Sequence, residues 1–180
     1  MTSDAPNLQS NVLNHLAAID LCLANHLRMP ALVLIYSGID ILAALARPIA
    51  SADVTRDDFV HWCQMYLIPT GFNQCSPIDL YAARCAVVHT YSSESALSRK
   101  GKAREVIYAW GNRQTHPLQS VIDRVGIANL VVIHIDELAA SVRLAAARFF
   151  EAARADPSQW PVVVARSEKF FQDYRELFDP

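Results

Sequence analysis

Two polar side chains interrupt an otherwise apolar stretch and could carry phosphate chemistry. Arg84 and His89 lie five positions apart in the sequence LYAARCAVVHTY, which spans residues 80–91. A guanidinium keeps its proton and can bind two phosphate oxygens, whereas an imidazole titrates near neutral pH and can donate or accept a proton. Together they could hold a phosphodiester, move protons during its cleavage and stabilise the charge of the transition state. Neither role requires a metal ion.

The same two side chains also have a structural interpretation. A guanidinium enclosed by apolar neighbours needs a carboxylate, contact with water or an anionic ligand. Asp40, in the apolar stretch 31–46, is the carboxylate that we expect to face Arg84. His89 could instead stabilise the end of its helix, where a positive charge contributes about 0.3 to 1 kcal/mol. The sequence leaves the chemical and the structural interpretations open.

The element that positions these residues is predicted to be the fourth helix of the chain. Ser76 is a favourable N-cap, Pro77 suits the first helical position and Asp79 suits the third. The helix should run from Pro77 to His89 or Tyr91. Five positions turn a side chain by about 140° around an α-helix, so the arginine and the histidine point to different sides unless the helix ends there.

Three helices are predicted before this one. Apolar residues recur at helical spacing over residues 8–28, 30–48 and 55–69. Thr55 and Asp58 form a capping box at the start of the third helix.

Strands and further helices are predicted after it. Residues 105–110 and 129–135 are β-branched or aromatic, as in strands, and the connection between them contains a short helix. Such a connection suits a parallel pair, although the sequence allows either direction. An Ala-rich helix is predicted over residues 136–155. Apolar residues at helical spacing mark a terminal helix after Pro161: Phe170, Phe171, Tyr174 and Leu177.

These elements predict a mainly α-helical single domain over residues 1–180. Residues 1–98 form a helical bundle that carries the arginine and the histidine. Residues 99–180 supply a basic loop, a small two-stranded β extension and C-terminal helices packed on that bundle. Trp62 and Trp110 are expected in the core. A hydrophobic fraction of 52% with 19% charged residues indicates that some apolar surface is shared with a second copy of the chain.

The charge of the chain restricts how it could bind nucleic acid. A net charge of −2 excludes polyanion binding over the whole surface, so a contact with RNA would need a local basic cluster. One cluster lies in the polar segment SSESALSRKGKAR, residues 92–104, which is predicted to be an exposed loop. Its cations could belong to a solvated turn or contact an RNA backbone: Arg99, Lys100, Lys102 and Arg104.

The remaining signals concern location and cofactors. The first residues resemble neither a secretory signal nor a transit peptide, which predicts a cytoplasmic protein. The stretch 31–46 contains Ser37, Gly38 and Asp40 and is shorter than a membrane span, so it is predicted to be a core helix.

The histidines show no ligand spacing, and we expect no metal ion and no other cofactor. The cysteines have no CxxC spacing and are predicted to be reduced core residues: Cys22, Cys63, Cys75 and Cys85.

The motif RCAVVH, residues 84–89, followed by Tyr91, resembles the Rx4-6H signature of the HEPN superfamily. The upstream segment YSGID, residues 36–40, resembles the corresponding helix of many HEPN proteins. By eye, the resemblance covers roughly the first 110 residues.

This resemblance implies an antiparallel helical bundle that forms a homodimer, in which two arginines and two histidines meet in a cleft and cleave RNA without a metal. Arg84 would hold the scissile phosphate and His89 would move protons at the 2′-hydroxyl or the leaving oxygen. Asp40 and Tyr91 are further candidate binding residues. The resemblance also implies a toxin, defence or stress system, with an antitoxin or a nucleotidyltransferase-type protein as partner.

Two other functions fit the same residues. The chain could be a non-catalytic dimerisation or interaction module, or a nucleotide-binding partner of another enzyme. It could also bind a small anionic ligand through Arg84 within one subunit. Digestion of RNA with and without a chelator, beside a His89→Ala variant, distinguishes a nuclease from a non-catalytic interaction module.

Overall fold

A computed structural model describes residues 6–112, 114–127 and 129–168, and it shows a mainly helical protein with one small sheet. The helices of the first half, in chain order, are α1 (Pro6–Ala24), α2 (Arg28–Ala46), α3 (Arg56–Trp62), α4 (Pro77–Thr90) and α5 (Ala96–Arg99). The elements of the second half are β1 (Glu105–Ala109), α6 (Thr115–Val125), β2 (Leu130–His134), α7 (Ile135–Ala155) and α8 (Trp160–Ser167). The predicted first four helices and both strands are confirmed, with ends that differ by a few residues.

Helix α2 lies at the centre of the fold and contacts α1, α3, α4, α7 and α8. Its continuous apolar sequence fits this position, because a helix enclosed by neighbours is apolar on most sides. Helix α1 approaches it closely at Gly38, where a Cβ atom would lie 3.0 Å from Nε2 of His15. The same Nε2 donates a hydrogen bond to the carbonyl oxygen of Leu34 at 2.7 Å. The glycine therefore makes room for the histidine between the two helices.

By length and composition alone, α2 is also the one helix of the described residues that could cross a membrane. Half of its apolar window is buried inside the protein. This burial is typical of a core helix, as predicted for this stretch.

Helix α3 begins with the predicted capping box of Thr55 and Asp58. The chain then continues through a π-helical turn at Cys63–Leu67 and a 3-10 turn at Ile68–Thr70. Gly71 ends this segment with a φ angle of 97°, a conformation that strains residues with a side chain. The predicted third helix is thus present, but only its first part is α-helical.

The second half joins the same core. Strands β1 and β2 pair in parallel with Glu105 opposite Leu130, and α6 lies in the connection between them. Buried side chains of β1, β2, α7 and α8 belong to one cluster with those of α1 to α4. Helix α6 differs, because none of its described side chains is buried.

The structure corrects two local predictions and leaves one outside its range. Residues 92–104 are not a continuous exposed loop, because Ser95 caps the short helix α5 through Ser98 and both serines are buried. Trp62 is fully buried as predicted, whereas Trp110 follows the end of β1 and is 38% exposed. The aromatic and leucine residues that mark the terminal helix lie outside the described residues: Phe170, Phe171, Tyr174 and Leu177.

Candidate functional site

Helix α4 has strong local signals at both of its ends. The Ser76 hydroxyl accepts a hydrogen bond from the backbone N–H of Asp79, and the Asp79 carboxylate accepts one from the backbone N–H of Ser76. This capping box satisfies N–H groups that the first helical turn leaves free. The helix continues to Thr90 and ends at Tyr91, whose backbone is left-handed with a φ angle of 51°. The helix is therefore intact through His89.

One side of α4 is only partly covered by the rest of the described chain. Beyond the first turn of the helix, five residues fall within an arc of about 140° around its axis, and we call them the α4 stripe: Tyr81, Arg84, Cys85, Val88 and His89. Four of them are half-buried and His89 is exposed. The opposite side is buried, and its residues are Asp79, Leu80, Ala82, Ala83, Ala86 and Val87. Arg84 and His89 thus occupy the two edges of the partly exposed side.

Arg84 pairs with Asp40, as predicted. Nε of Arg84 donates a hydrogen bond to Oδ2 of Asp40 at 2.7 Å, which joins α4 to α2. The side chains remain 24% and 28% exposed. The two Nη groups of Arg84 donate no hydrogen bond to an oxygen atom of the described residues. The guanidinium is therefore held at one edge and retains N–H groups for another anion.

The environment shifts the pKa values of both partners upward. Burial raises the pKa of Asp40 and outweighs the opposing effects of Arg84 and of the His89 charge. The pKa of Arg84 is also raised, because its contact with Asp40 outweighs the effect of burial. The guanidinium therefore keeps its proton, while the carboxylate is less readily ionised than in water.

His89 lies at the other edge of the α4 stripe. A positive charge on its imidazole lowers the pKa of Asp40. The His89 side chain is exposed and forms no hydrogen bond with any part of the chain that the structure describes. The two side chains of the motif therefore diverge along the helix, and Arg84 is the one that contacts Asp40.

Tyr81 and Cys85 complete the neighbourhood of Arg84. Burial raises the pKa of Tyr81, and the adjacent Cys85 thiol raises it further. Contact with Cys85 also contributes to the raised pKa of Arg84. The tyrosine therefore stays protonated at neutral pH and can donate a hydrogen bond.

The basic cluster contains three exposed residues and one that is half-buried. Arg99, Lys100 and Lys102 are exposed, and Arg99 forms an ion pair with Glu94 at 3.3 Å. Arg104 forms an ion pair with buried Asp79 at 2.8 Å, and its backbone N–H also donates to this carboxylate at 2.7 Å. The capping residue of α4 thus has a second partner, which the local sequence gave no means of predicting.

The segment YSGID does not present one common face to the site. The Tyr36 hydroxyl lies 2.7 Å from that of Tyr108 in β1, whereas Gly38 packs against His15. Of these residues, Asp40 is the one that contacts the arginine of the motif.

The described residues contain no group of three or more His, Cys, Asp and Glu side chains that could hold a metal ion. All four cysteines are free. Cys63 and Cys75 are buried as predicted, whereas Cys22 and Cys85 are half-buried.

Comparison of the chain with models of protein families, with curated protein sequences and with solved structures gives no match.

Proposed function

We propose that the protein is a metal-independent endoribonuclease with a HEPN-like antiparallel bundle. One observation carries the proposal: Arg84 and His89 both lie on the partly exposed side of α4, and Asp40 holds the guanidinium of Arg84 by one edge. Histidine can transfer protons at neutral pH, and a guanidinium with free N–H groups can bind phosphate.

In the proposed reaction, the ribose 2′-oxygen attacks the adjacent phosphorus and the bond from phosphorus to the 5′-oxygen breaks. His89 accepts the proton of the 2′-hydroxyl or donates a proton to the leaving 5′-oxygen. Arg84 holds the phosphate through its Nη groups and stabilises the charge that develops there. Asp40 acts as a positioning residue, because its hydrogen bond to Nε fixes the direction of the guanidinium.

A homodimer would supply a second copy of both groups. If the α4 stripes of two subunits face each other across a two-fold axis, two histidines can act at one phosphodiester, one as base and one as acid. Proposed protein partners are an antitoxin or a nucleotidyltransferase-type protein, which would cover the same exposed groups.

An RNA digestion with the full chain tests the activity. The wild-type protein should cleave single-stranded RNA equally with and without a chelator. His89→Ala should lower the rate by about 10² to 10⁴, and Arg84→Ala should lower it similarly. His61→Ala is the matched control, because His61 is also an exposed histidine in the last turn of a helix. Undiminished cleavage by His89→Ala, or cleavage that a chelator stops, would contradict the proposal.

A second candidate is a non-catalytic interaction module. The specific observation in its favour is the 2.7 Å contact between Arg84 and Asp40, which neutralises the guanidinium without any ligand. This candidate predicts a stable dimer that leaves RNA intact under the conditions of the digestion.

A further inference from the structure

A cleft of about 560 Å³ opens beside the C-terminal end of α4. Its walls come from the start of α2, the end of α4, the strand β1 and the residue that follows this strand. Tyr91 belongs to these walls and is two residues after His89, so their Cα atoms are at most about 7 Å apart. Helix α4 contributes Val87, from its buried side, so the cleft lies at the end of α4 and close in the chain to His89.

Two residues in the walls of this cleft have an unfavourable backbone conformation. His26 and Tyr91 have φ angles of 58° and 51°, and among the described residues no other residue with a side chain has a positive φ. Both follow the end of a helix, where glycine is the usual residue in this conformation. Residues other than glycine that are held in such conformations are concentrated at active sites and ligand clamps.

The cleft offers aromatic surfaces and a cation. Tyr91 is 65% exposed and Trp110 is 38% exposed. The guanidinium carbon of Arg28 lies 4.2 Å from the centre of the Trp110 ring. A stacked guanidinium still has N–H groups at its edge for a phosphate oxygen. Among the described residues, no Asp or Glu lines the cleft.

We propose that this cleft binds a nucleotide of single-stranded RNA, with its base stacked on Tyr91 or Trp110 and its phosphate held by Arg28. Exposed aromatic rings beside positive charge are the usual means of binding unpaired nucleotides. The inference rests on the proposed function for the choice of RNA, and it adds a binding site for an unpaired nucleotide that is separate from Arg84 and His89.

A binding experiment tests the cleft independently of cleavage. The probe is a fluorescently labelled 2′-O-methyl hexa-adenylate, which has no free 2′-hydroxyl to attack the phosphate and stays intact on wild-type protein. Fluorescence anisotropy should show saturable binding. Affinity should fall between about 5-fold and about 150-fold in Trp110→Leu or Tyr91→Gly, the range expected for the loss of one stacked base. Arg28→Gln should also weaken binding, whereas Arg143→Gln, on α7 and outside the cleft, should not.

Two further ligands and one stability measurement complete the test. An abasic hexamer of the same charge should bind more weakly, and adenosine monophosphate should compete poorly.

Tyr91→Gly should keep or slightly raise the melting temperature while it weakens binding, because glycine relieves the backbone strain and the lost side chain is mostly exposed. Absence of binding, equal binding of the abasic hexamer or unchanged affinity of both Tyr91→Gly and Trp110→Leu would overturn the assignment. A monophosphate that binds as tightly as the hexamer would overturn the assignment to RNA. If the expected binding is observed but the protein does not cleave RNA, only the proposed nuclease activity is overturned.

Discussion

Asp40 and Arg84 place two ionisable groups on helices that are otherwise apolar. Burial raises the pKa of Asp40, so its ionised form is less stable in the fold than in the unfolded chain. Stability contributed by this carboxyl group is therefore greatest below its unfolded pKa, near 3.8, and declines as the pH rises through the folded pKa. Arg84 opposes that loss, because its positive charge favours the ionised carboxylate.

Removal of the guanidinium should therefore destabilise the fold through Asp40. We expect Arg84→Gln to lower the free energy of unfolding by about 1 to 3 kcal/mol at pH 7, the range for a hydrogen bond between charged groups that are partly shielded from water. Urea unfolding of Arg84→Gln, Asp40→Asn and the double variant gives the coupling energy directly. Arg143→Gln, which loses a more exposed pair with Asp20, should change stability by less than about 1 kcal/mol. A coupling below about 0.5 kcal/mol would contradict the structural role of the pair.

The contact between Asp40 and Arg84 could be predicted because an enclosed guanidinium needs an anion and the apolar second helix offers one carboxylate. The position of Trp110 could not, because a tryptophan after an apolar strand has the same sequence pattern whether its ring is buried or lies under Arg28. That stacking depends on the distance between α2 and β1, which no local pattern encodes.

At the scale of elements, α4 shows which signals are local. Its start follows from a capping box, and the partition between its buried and partly exposed sides follows from helical spacing. Helix α5 was predicted as loop, because its four residues are too few to show a periodicity and its serines also favour turns. The parallel pairing of β1 and β2 fits the helix-containing connection between them.

Asp79 links the start of α4 to the chain before β1, and its protonation should weaken both contacts. Burial alone would raise its pKa, but hydrogen bonds from Ser76 and Arg104 outweigh burial and lower it. An acid with a lowered folded pKa stabilises the fold above its unfolded pKa, and this stabilisation is lost as the pH falls from about 3.8 through the folded value.

We expect Asp79→Asn to lower the free energy of unfolding by about 1 to 3 kcal/mol at pH 7, because the amide retains a capping oxygen but loses the charged contact with Arg104. The difference from wild type should shrink below a pH of about 3.8. Thermal unfolding between pH 3 and pH 7 measures both effects. Asp58→Asn alters the same type of capping box without a hydrogen-bonded arginine and should have a smaller effect. A difference from wild type that stays constant over this pH range would contradict the assignment of the pKa shift to Asp79.

At the scale of the whole molecule, apolar side chains remain exposed or half-buried on α1, α4, α6 and α7, and two of these surfaces bear on the proposed dimer. One is the α4 stripe, where Tyr81, Cys85 and Val88 are half-buried between the arginine and the histidine. The other is α6, where Val121 and Val125 are 54% and 67% exposed. Composition predicted shared apolar surface but not its place, because exposure depends on which helices pack together. The proposed two-subunit nuclease requires the α4 stripe to be the contact.

We therefore expect a homodimer at micromolar concentration, with α4 of each subunit at the two-fold axis. Light scattering should give about twice the chain mass of 20.0 kDa. Val88→Arg should weaken the dimer by about 30-fold or more, because it places an unpaired charge at the middle of the contact. Val121→Arg is the matched control and should leave the dimer intact, since it introduces the same charge on the exposed side of α6.

Dissociation by Val121→Arg alone would place the dimer interface on α6. Arg84 and His89 of one subunit would then lie apart from those of the other subunit. A monomeric wild-type chain would remove the composite site, and the interaction-module proposal would then lose its dimer as well.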